Sequence, residues 1–376
     1  MKIALFCHSL ASCWNHGNAH FLRGVVRELQ RRGHLVRAFE PKDGWSRINL
    51  LADHGPAALD DWRRVYPDLN TETYEGALPD LDEALDGVDL VLMHEWNAPE
   101  LIAAVGRRRA AGGRFVLLFH DTHHRAASDP AELAAFDLDG YDGVLAFGTS
   151  LRERYLSAGW ARRAWVWHEA ADTSVFRPLP EIDTTGDLVW IGNWGDGERS
   201  DELKRFLLRP VRRLGIAATV YGVRYPQDAV RALSATGASY RGWLPNHLVP
   251  QVFARNRATV HVPRRPYAEA LPGIPTIRVF EALASGIPLI SAPWNDVESL
   301  FPPGCFLVAQ DEEAMARHLW AVLCDPALRI ELATRGLEAI HARHSCAHRV
   351  DQLLAIHAAA GGPSSETRTA EARACA

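Results

Sequence analysis

Arg278 and Glu281 lie three residues apart in GIPTIRVFEALASGIPLISAPW, the stretch from Gly273 to Trp294. That spacing puts a cation and a carboxylate on one face of a helix. The segment Gly273-Ile274-Pro275-Thr276 leads into the helix N-terminus, whose free backbone N–H groups attract phosphate. A carboxylate close to such an end can accept hydrogen bonds from ribose hydroxyls. Nucleotide capture is the chemistry these residue types allow.

Other reactive side chains fall where apolar runs end. FVLLFH closes on His120 with Asp121 next to it, MKIALFCH runs into a polar loop containing His16, Gly17 and Asn18, and LVWI is followed by GNWGDG, with Gly192 and Asn193, then Arg199 and Lys204. Lys204 equally suits a solvated helix face. His16 and His20 are four apart, but no Glu lies between them as a catalytic pair would need and no third ligand can be identified. No metal site is therefore expected. A G-x-S-x-G elbow, a Walker A sequence and a G-x-G-x-x-G fingerprint are all absent.

The elements that would position these groups alternate strand and helix, which predicts parallel sheets covered on both faces. Lys2 to His8 reads as a strand, 19–32 as a helix stopped by Gly33, and His34 to Phe39 as a second strand. Residues 43–80 read as irregular with one or two helices. Strands follow at 88–94, 114–119 and 143–147, so that His94-Glu95, His120-Asp121 and Gly148-Thr149-Ser150 would share one sheet edge beside the His16 loop. After a polar linker at 179–187 the plan restarts, with strands at 188–191, 217–221, 258–262 and 304–308 and a helix at 198–209. Pro275 is expected at the first position of a helix of roughly ten residues and about 15 Å, ended by Gly286 and Pro288. Its apolar face would carry Ile277, Phe280, Leu283 and Ala284.

With 376 residues, 47% hydrophobic and 23% charged, the chain has the composition of a globular protein of two domains. A net charge of -5 gives no electrostatic case for a nucleic-acid partner, and no run of eighteen apolar residues predicts a transmembrane span. Six cysteines without a C-x-x-C fit reduced thiols and a cytoplasmic location. Twelve tryptophans suit a protein that stacks sugars or bases, and equally a protein with large cores.

The Gly273–Trp294 stretch resembles the donor-binding helix of GT-B glycosyltransferases, especially the retaining family-four and CgeB-like groups. The likeness extends over about 1–360: Gly17 and Asn18 match the first loop, Asp172, Phe176 and Pro178 a hinge-side turn, and Tyr240-Arg241-Gly242-Trp243-Leu244 the segment that meets the donor base. It implies two Rossmann-like domains facing across a cleft: 1–178 on the acceptor side, 188–342 holding the nucleotide, 343–360 as a helix crossing back and 361–376 as a disordered tail. The implied activity is transfer of a sugar from a nucleoside diphosphate sugar, used as co-substrate with no cofactor, to an unidentified acceptor hydroxyl.

By the same resemblance, Glu281 holds the ribose, and Gly242, Trp243 and Leu244 the base. Gly192, Asn193, Arg199, Lys204, Gly273–Thr276 and Arg278 surround the diphosphate and sugar, while His120 with Asp121 faces the reacting carbon. Retention at the anomeric carbon is implied as well. The family pattern places a second glutamate eight positions before Glu281, where this chain has Gly273. That departure keeps two other readings open: a sugar-nucleotide 2-epimerase and a non-catalytic nucleotide-sugar sensor.

Overall fold

The computed structural model describes residues 1–195 and 197–361, so Asp196 and the expected tail beyond Gly361 lie outside the described residues. Two parallel sheets organise the chain. The first contains β1 (Lys2–Phe6), β2 (Leu35–Pro41), β3 (Glu72–Tyr74), β4 (Leu90–His94), β5 (Val116–Asp121), β6 (Gly143–Ala146) and β7 (Ala164–Val166) in the order β3-β2-β1-β4-β5-β6-β7. The second contains β8 (Gly186–Ile191), β9 (Ala218–Tyr221), β10 (Ser239–Tyr240), β11 (Asn256–His261), β12 (Leu289–Ser291) and β13 (Leu307–Val308) in the order β10-β9-β8-β11-β12-β13. Central strands such as β4, LVLMH, are buried at every position, as strands covered by helices on both faces must be.

In each sheet the chain winds outward in opposite directions from a central pair, β1 with β4 and β8 with β11. The crevice beyond the carboxyl ends of such a pair is where open α/β sheets bind ligands. The loops at the two crevices meet across the cleft between the sheets.

Several contacts hold the two halves together. The Cys346–Ala359 helix returns to pack on the Ala19–Arg31 helix. The approach needs Gly24, where a Cβ would come within 2.5 Å of Cys346 Sγ and 2.7 Å of Asp172 Cβ. Arg349 on the returning helix is buried and donates to the His168 carbonyl at 2.7 Å, while Trp167 Nε1 donates to the Arg349 carbonyl at 2.8 Å. Glu298, after β12, reaches the first half: it accepts from the Thr149 N–H at 2.9 Å and the Thr149 hydroxyl at 2.7 Å. His168 Nε2 lies 3.1 Å from Glu298 Oε2, the oxygen that also accepts from the Thr149 hydroxyl. Among the described residues no helix is long and apolar enough to cross a membrane.

Four local expectations change. The β3 strand forms in the stretch read as irregular and helical, pairing with the carboxyl end of β2 at Phe39, Glu40 and Pro41. β5 runs two residues further than expected, because β4 and β6 continue the ladder to His120 and Asp121. The helix expected at 198–209 is Ser200–Leu203, a wide turn at Lys204–Leu208 and a further helix at Arg209–Leu214. Pro210 explains the interruption, since it cannot donate the i to i−4 bond. The Ile277–Ser285 helix starts at Ile277, with Thr276 extended at ψ 157° as its N-cap, so Pro275 precedes the helix instead of opening it.

Candidate active site in the interdomain cleft

The loop after β1 is held from beneath by two buried charges. Glu40 on β2 accepts from the Ser9 hydroxyl and the Leu10 N–H, each at 2.8 Å, and from the Ala11 N–H at 3.3 Å. Arg23 donates to the Leu10 carbonyl at 2.6 Å and the Ala11 carbonyl at 3.2 Å. So anchored, the loop carries Asn15, His16, Gly17 and Asn18 over the sheet edge. Asn15 takes a left-handed φ of 47°, which asparagine tolerates better than most residues.

The facing loop follows β8. Asn193 Nδ2 donates to Asn15 Oδ1 at 2.8 Å, while its own Oδ1 accepts from Arg199 at 2.7 Å and Arg264 at 3.2 Å. Arg199 also donates to the Asn193 carbonyl at 2.9 Å and the Val262 carbonyl at 3.2 Å. Arg264 stands just past the carboxyl end of β11 and pairs with Glu198.

Two adjoining cavities of about 240 and 560 Å³ occupy the cleft, sharing Asn15, His16, Gly17, Asn193, Arg264 and Tyr267 as a common wall. The smaller lies over the second sheet and the N-terminus of the Ile277–Ser285 helix; the larger opens over the first sheet. In the smaller, burial pushes the Arg199 guanidinium down to about 10, helped by nearby Arg264. Burial does the same to Arg278, again to about 10, with Arg199 adding to the effect. Cations desolvated and crowded to this degree favour an anion that can replace the lost hydration. Facing helix N–H groups add to the same preference.

The structure brings together many of the expected site residues. His16, Gly17, Gly192, Asn193, Arg199, Trp243, Leu244, Thr276 and Arg278 all line the smaller cavity, and Asn18 joins the wall of the larger. Trp243 Nε1 is buried without a hydrogen-bond partner, and Thr276 Oγ1 lies 3.1 Å from His261 Nε2.

Others sit elsewhere. Lys204 lies on a half-exposed helix face, paired with Asp201 at 3.0 Å. Gly242 lies beside the wall, its carbonyl accepting from the Gly222 N–H at 2.8 Å. Gly273, Ile274 and Pro275 run behind the cavity, where the Gly273 N–H donates to the Asn295 carbonyl at 2.9 Å and Ile274 joins the hydrophobic core. Glu281 is fully buried beneath the floor. Its Oε2 pairs with Arg278 and its Oε1 lies 2.6 Å from His20 Nδ1, so here it supports Arg278 and does not face the cavity.

His120 and Asp121 are also inside the protein, because both belong to the strand and not to the loop after it. His120 packs at 4.7 Å from the Trp167 ring and 5.2 Å from His94, with neither nitrogen hydrogen-bonded; burial pushes its pKa down to about 3. Asp121 accepts from the Tyr155 hydroxyl at 2.7 Å and the His123 N–H at 2.9 Å. Burial raises its pKa. Neither residue lines the cleft.

Sequence reading missed Asn15, Arg264 and Tyr267 as the shared wall, and the indoles of Trp45 and Trp96 in the larger cavity. The signal for Arg264 was its position after a buried strand, VHVPRRP, at the sheet edge where ligands bind. Trp45 had no such signal, lying in the 43–80 stretch without clear periodicity. Among the described residues, no group of three or more His, Cys, Asp or Glu could hold a metal ion.

Residues 199–355 match the family model described as glycosyl transferase-like. No curated protein matches the chain. Among solved structures, it is similar to sucrose-phosphate synthase from Thermosynechococcus elongatus, with a TM-score of 0.65 and 17% identity over 95% of this chain and 98% of that one. Anabaena HepE in complex with UDP-glucose gives 0.63 and 13% over 96% and 100%. An alpha-glucosyltransferase in complex with UDP and a 13-mer DNA gives 0.69 and 13% over 95% and 99%. The chain therefore has the GT-B fold of glycosyltransferases, and its second half carries a glycosyl transferase-like domain.

Proposed function

We propose that this protein is a metal-independent glycosyltransferase that takes a nucleoside diphosphate sugar, a UDP-sugar in the first instance, in the smaller cavity. It passes the sugar to an acceptor hydroxyl presented from the larger one. One observation carries the reading: two cavities that share a wall, with the guanidinium groups of Arg199 and Arg278 in the smaller and that of Arg264 in the wall between them. Departure of a nucleoside diphosphate concentrates negative charge on the leaving phosphate. Fixed cations and helix N–H groups stabilise that charge without reorganising, which is the work a divalent metal does in other transferases.

The neighbours support the choice of nucleotide, since two of them are complexes with UDP or UDP-glucose. The second cavity favours transfer over epimerisation, which needs no acceptor. His16 stands in the shared wall with Nε2 unpartnered, beside the position where the anomeric carbon and acceptor would meet. Likeness to the CgeB-like group within GT-B belongs to the same proposal. So does retention of anomeric configuration, read from the coupling of the product's anomeric proton.

Thermal unfolding with UDP, with and without a chelator, tests the donor half. UDP at one hundred times its dissociation constant should add about 2.7 kcal/mol of stability. Stabilisation that disappears with the chelator refutes the metal-independent mechanism.

A further inference from the structure

The walls of the larger cavity differ in kind from those of the smaller. Trp45 and Trp96 stand 45% and 42% exposed there, although most of the other tryptophans are buried or half-buried. His8 lies between them, its ring 6.4 Å from Trp45 and 6.2 Å from Trp96. Each indole is braced from behind. Trp45 meets Trp14 edge-on at 5.0 Å, and Trp96 carries the Arg125 guanidinium over its ring at 4.5 Å. Arg125 in turn is fixed by buried Glu95. These are held surfaces, not loose side chains.

Polar atoms without partners face the same space. His16 Nε2 and His123 Nδ1 are buried and lack a hydrogen bond, and both residues line the cavity; His124 lines it beside them, with its Nε2 3.4 Å from Glu198 Oε2. His16 and His124 are themselves more than nine-tenths buried. Burial holds these imidazoles neutral, pushing His123 to about 2 and His16 well down. A neutral imidazole donates to or accepts from a hydroxyl but offers a phosphate no charge. Of the arginines lining this cavity, Arg264 is paired with Glu198, and Arg224 lies 5.8 Å over the Trp45 ring.

Resting on the transferase reading above, we propose that the acceptor is an uncharged saccharide, whose ring faces lie on Trp45 and Trp96 while its hydroxyls meet the imidazoles. Sugars present flat C–H faces and hydroxyls around their edge, and flat indoles ringed by neutral donors and acceptors complement both. A nucleic acid needs a row of available cations along its backbone, and this wall does not supply one.

Labelled protein, with and without saturating UDP, is applied to an array of defined neutral glycans printed beside single- and double-stranded oligonucleotides. The expected result is binding to at least one glycan class and none to the oligonucleotides. On the best glycan, Trp96→Ala and Trp45→Ala should each lose about tenfold in affinity, with most of it restored by Trp96→Phe. UDP titration of the same variants shows whether they are folded, because neither indole lines the smaller cavity. A blank glycan array, oligonucleotide binding alone, or glycan affinity untouched by both variants overturns the proposal. Failure of UDP to bind wild type strikes the donor reading instead, and the array without nucleotide still decides the saccharide question.

Discussion

The side-chain amide of Asn193 bridges the two halves of the molecule: its Nδ2 donates to Asn15 Oδ1 at 2.8 Å, while its Oδ1 accepts from Arg199 at 2.7 Å. One residue thus both joins the two crevices and orients a cation of the smaller cavity. Its neighbour Arg264 leans on the same oxygen at 3.2 Å. Two guanidinium groups thus converge on one neutral acceptor.

Asn193→Asp tests that arrangement. A carboxylate between Arg199 and Arg264 would neutralise the charge proposed to hold the diphosphate, and it would lose the donor to Asn15. UDP affinity should fall by about 1.5–3 kcal/mol, the range for hydrogen bonds to charged groups. Stability without ligand should rise or hold, because the arginines gain a partner. Calorimetric titration and urea unfolding read the two effects separately; unchanged UDP affinity would remove Asn193 from the donor site.

Gly273 gives a second test, on the departure from the family pattern. It adopts φ 87°, and a Cβ there would lie 2.9 Å from Glu298 Cγ and Val297 Cγ2. The backbone is therefore built for glycine, and the space is filled by the Glu298 that caps Thr149. Gly273→Glu should lower stability by about 1–3 kcal/mol through left-handed strain and the clash. Glu298→Ala should recover part of that loss by opening the space. A fully stable Gly273→Glu protein would show that the segment can rearrange to accept the missing carboxylate.

The third prediction separates two roles for Glu281. It was expected to hold ribose, yet it is buried against His20 and Arg278. If Glu281 acts through Arg278, Glu281→Gln should weaken UDP and inorganic pyrophosphate by a similar factor, about 1.5–3 kcal/mol in free energy. A direct ribose contact would instead spare pyrophosphate, and would spare 2′,3′-dideoxy-UDP as well. Equal losses across the three ligands are expected.

Much of this molecule could be read before folding. Strand and helix order followed from apolar runs and glycine stops, and the Ala19–Arg31 helix ends beside Gly33 at φ 81° as its sequence requires. That Gly192, Asn193 and Arg199 line a cleft was legible because glycine and polar residues cluster after a buried strand. What sequence could not resolve was depth. His120 and Asp121 have the residue types of a reactive pair, but whether a strand ends before or after them depends on neighbours 20 to 30 residues away. Two more rungs of ladder move them from the cleft into the core. Trp45 and Arg264 lie more than 200 residues apart, and only the closed cleft puts both on one wall.

The last prediction follows from that depth and concerns acid. Burial pushes His8 to about 4 and His120 and His261 each to about 3, and it holds His94 well below the ordinary value. In the unfolded chain these rings titrate near 6.5. The unfolded state therefore takes up more protons than the folded one as pH falls below about 6.5. Stability that is full above that point should drop progressively toward pH 4, each such histidine contributing up to about 1.4 kcal/mol per pH unit. Urea unfolding of wild type between pH 8 and pH 5 should show a plateau and then a steep decline. His120→Phe keeps a ring against Trp167 and removes one proton from that balance. Its decline should be shallower by about one histidine's share over the same interval, with stability at pH 8 altered far less. Parallel slopes for the two proteins would mean that His120 is protonated in the folded state and reaches water by a route the closed core does not provide.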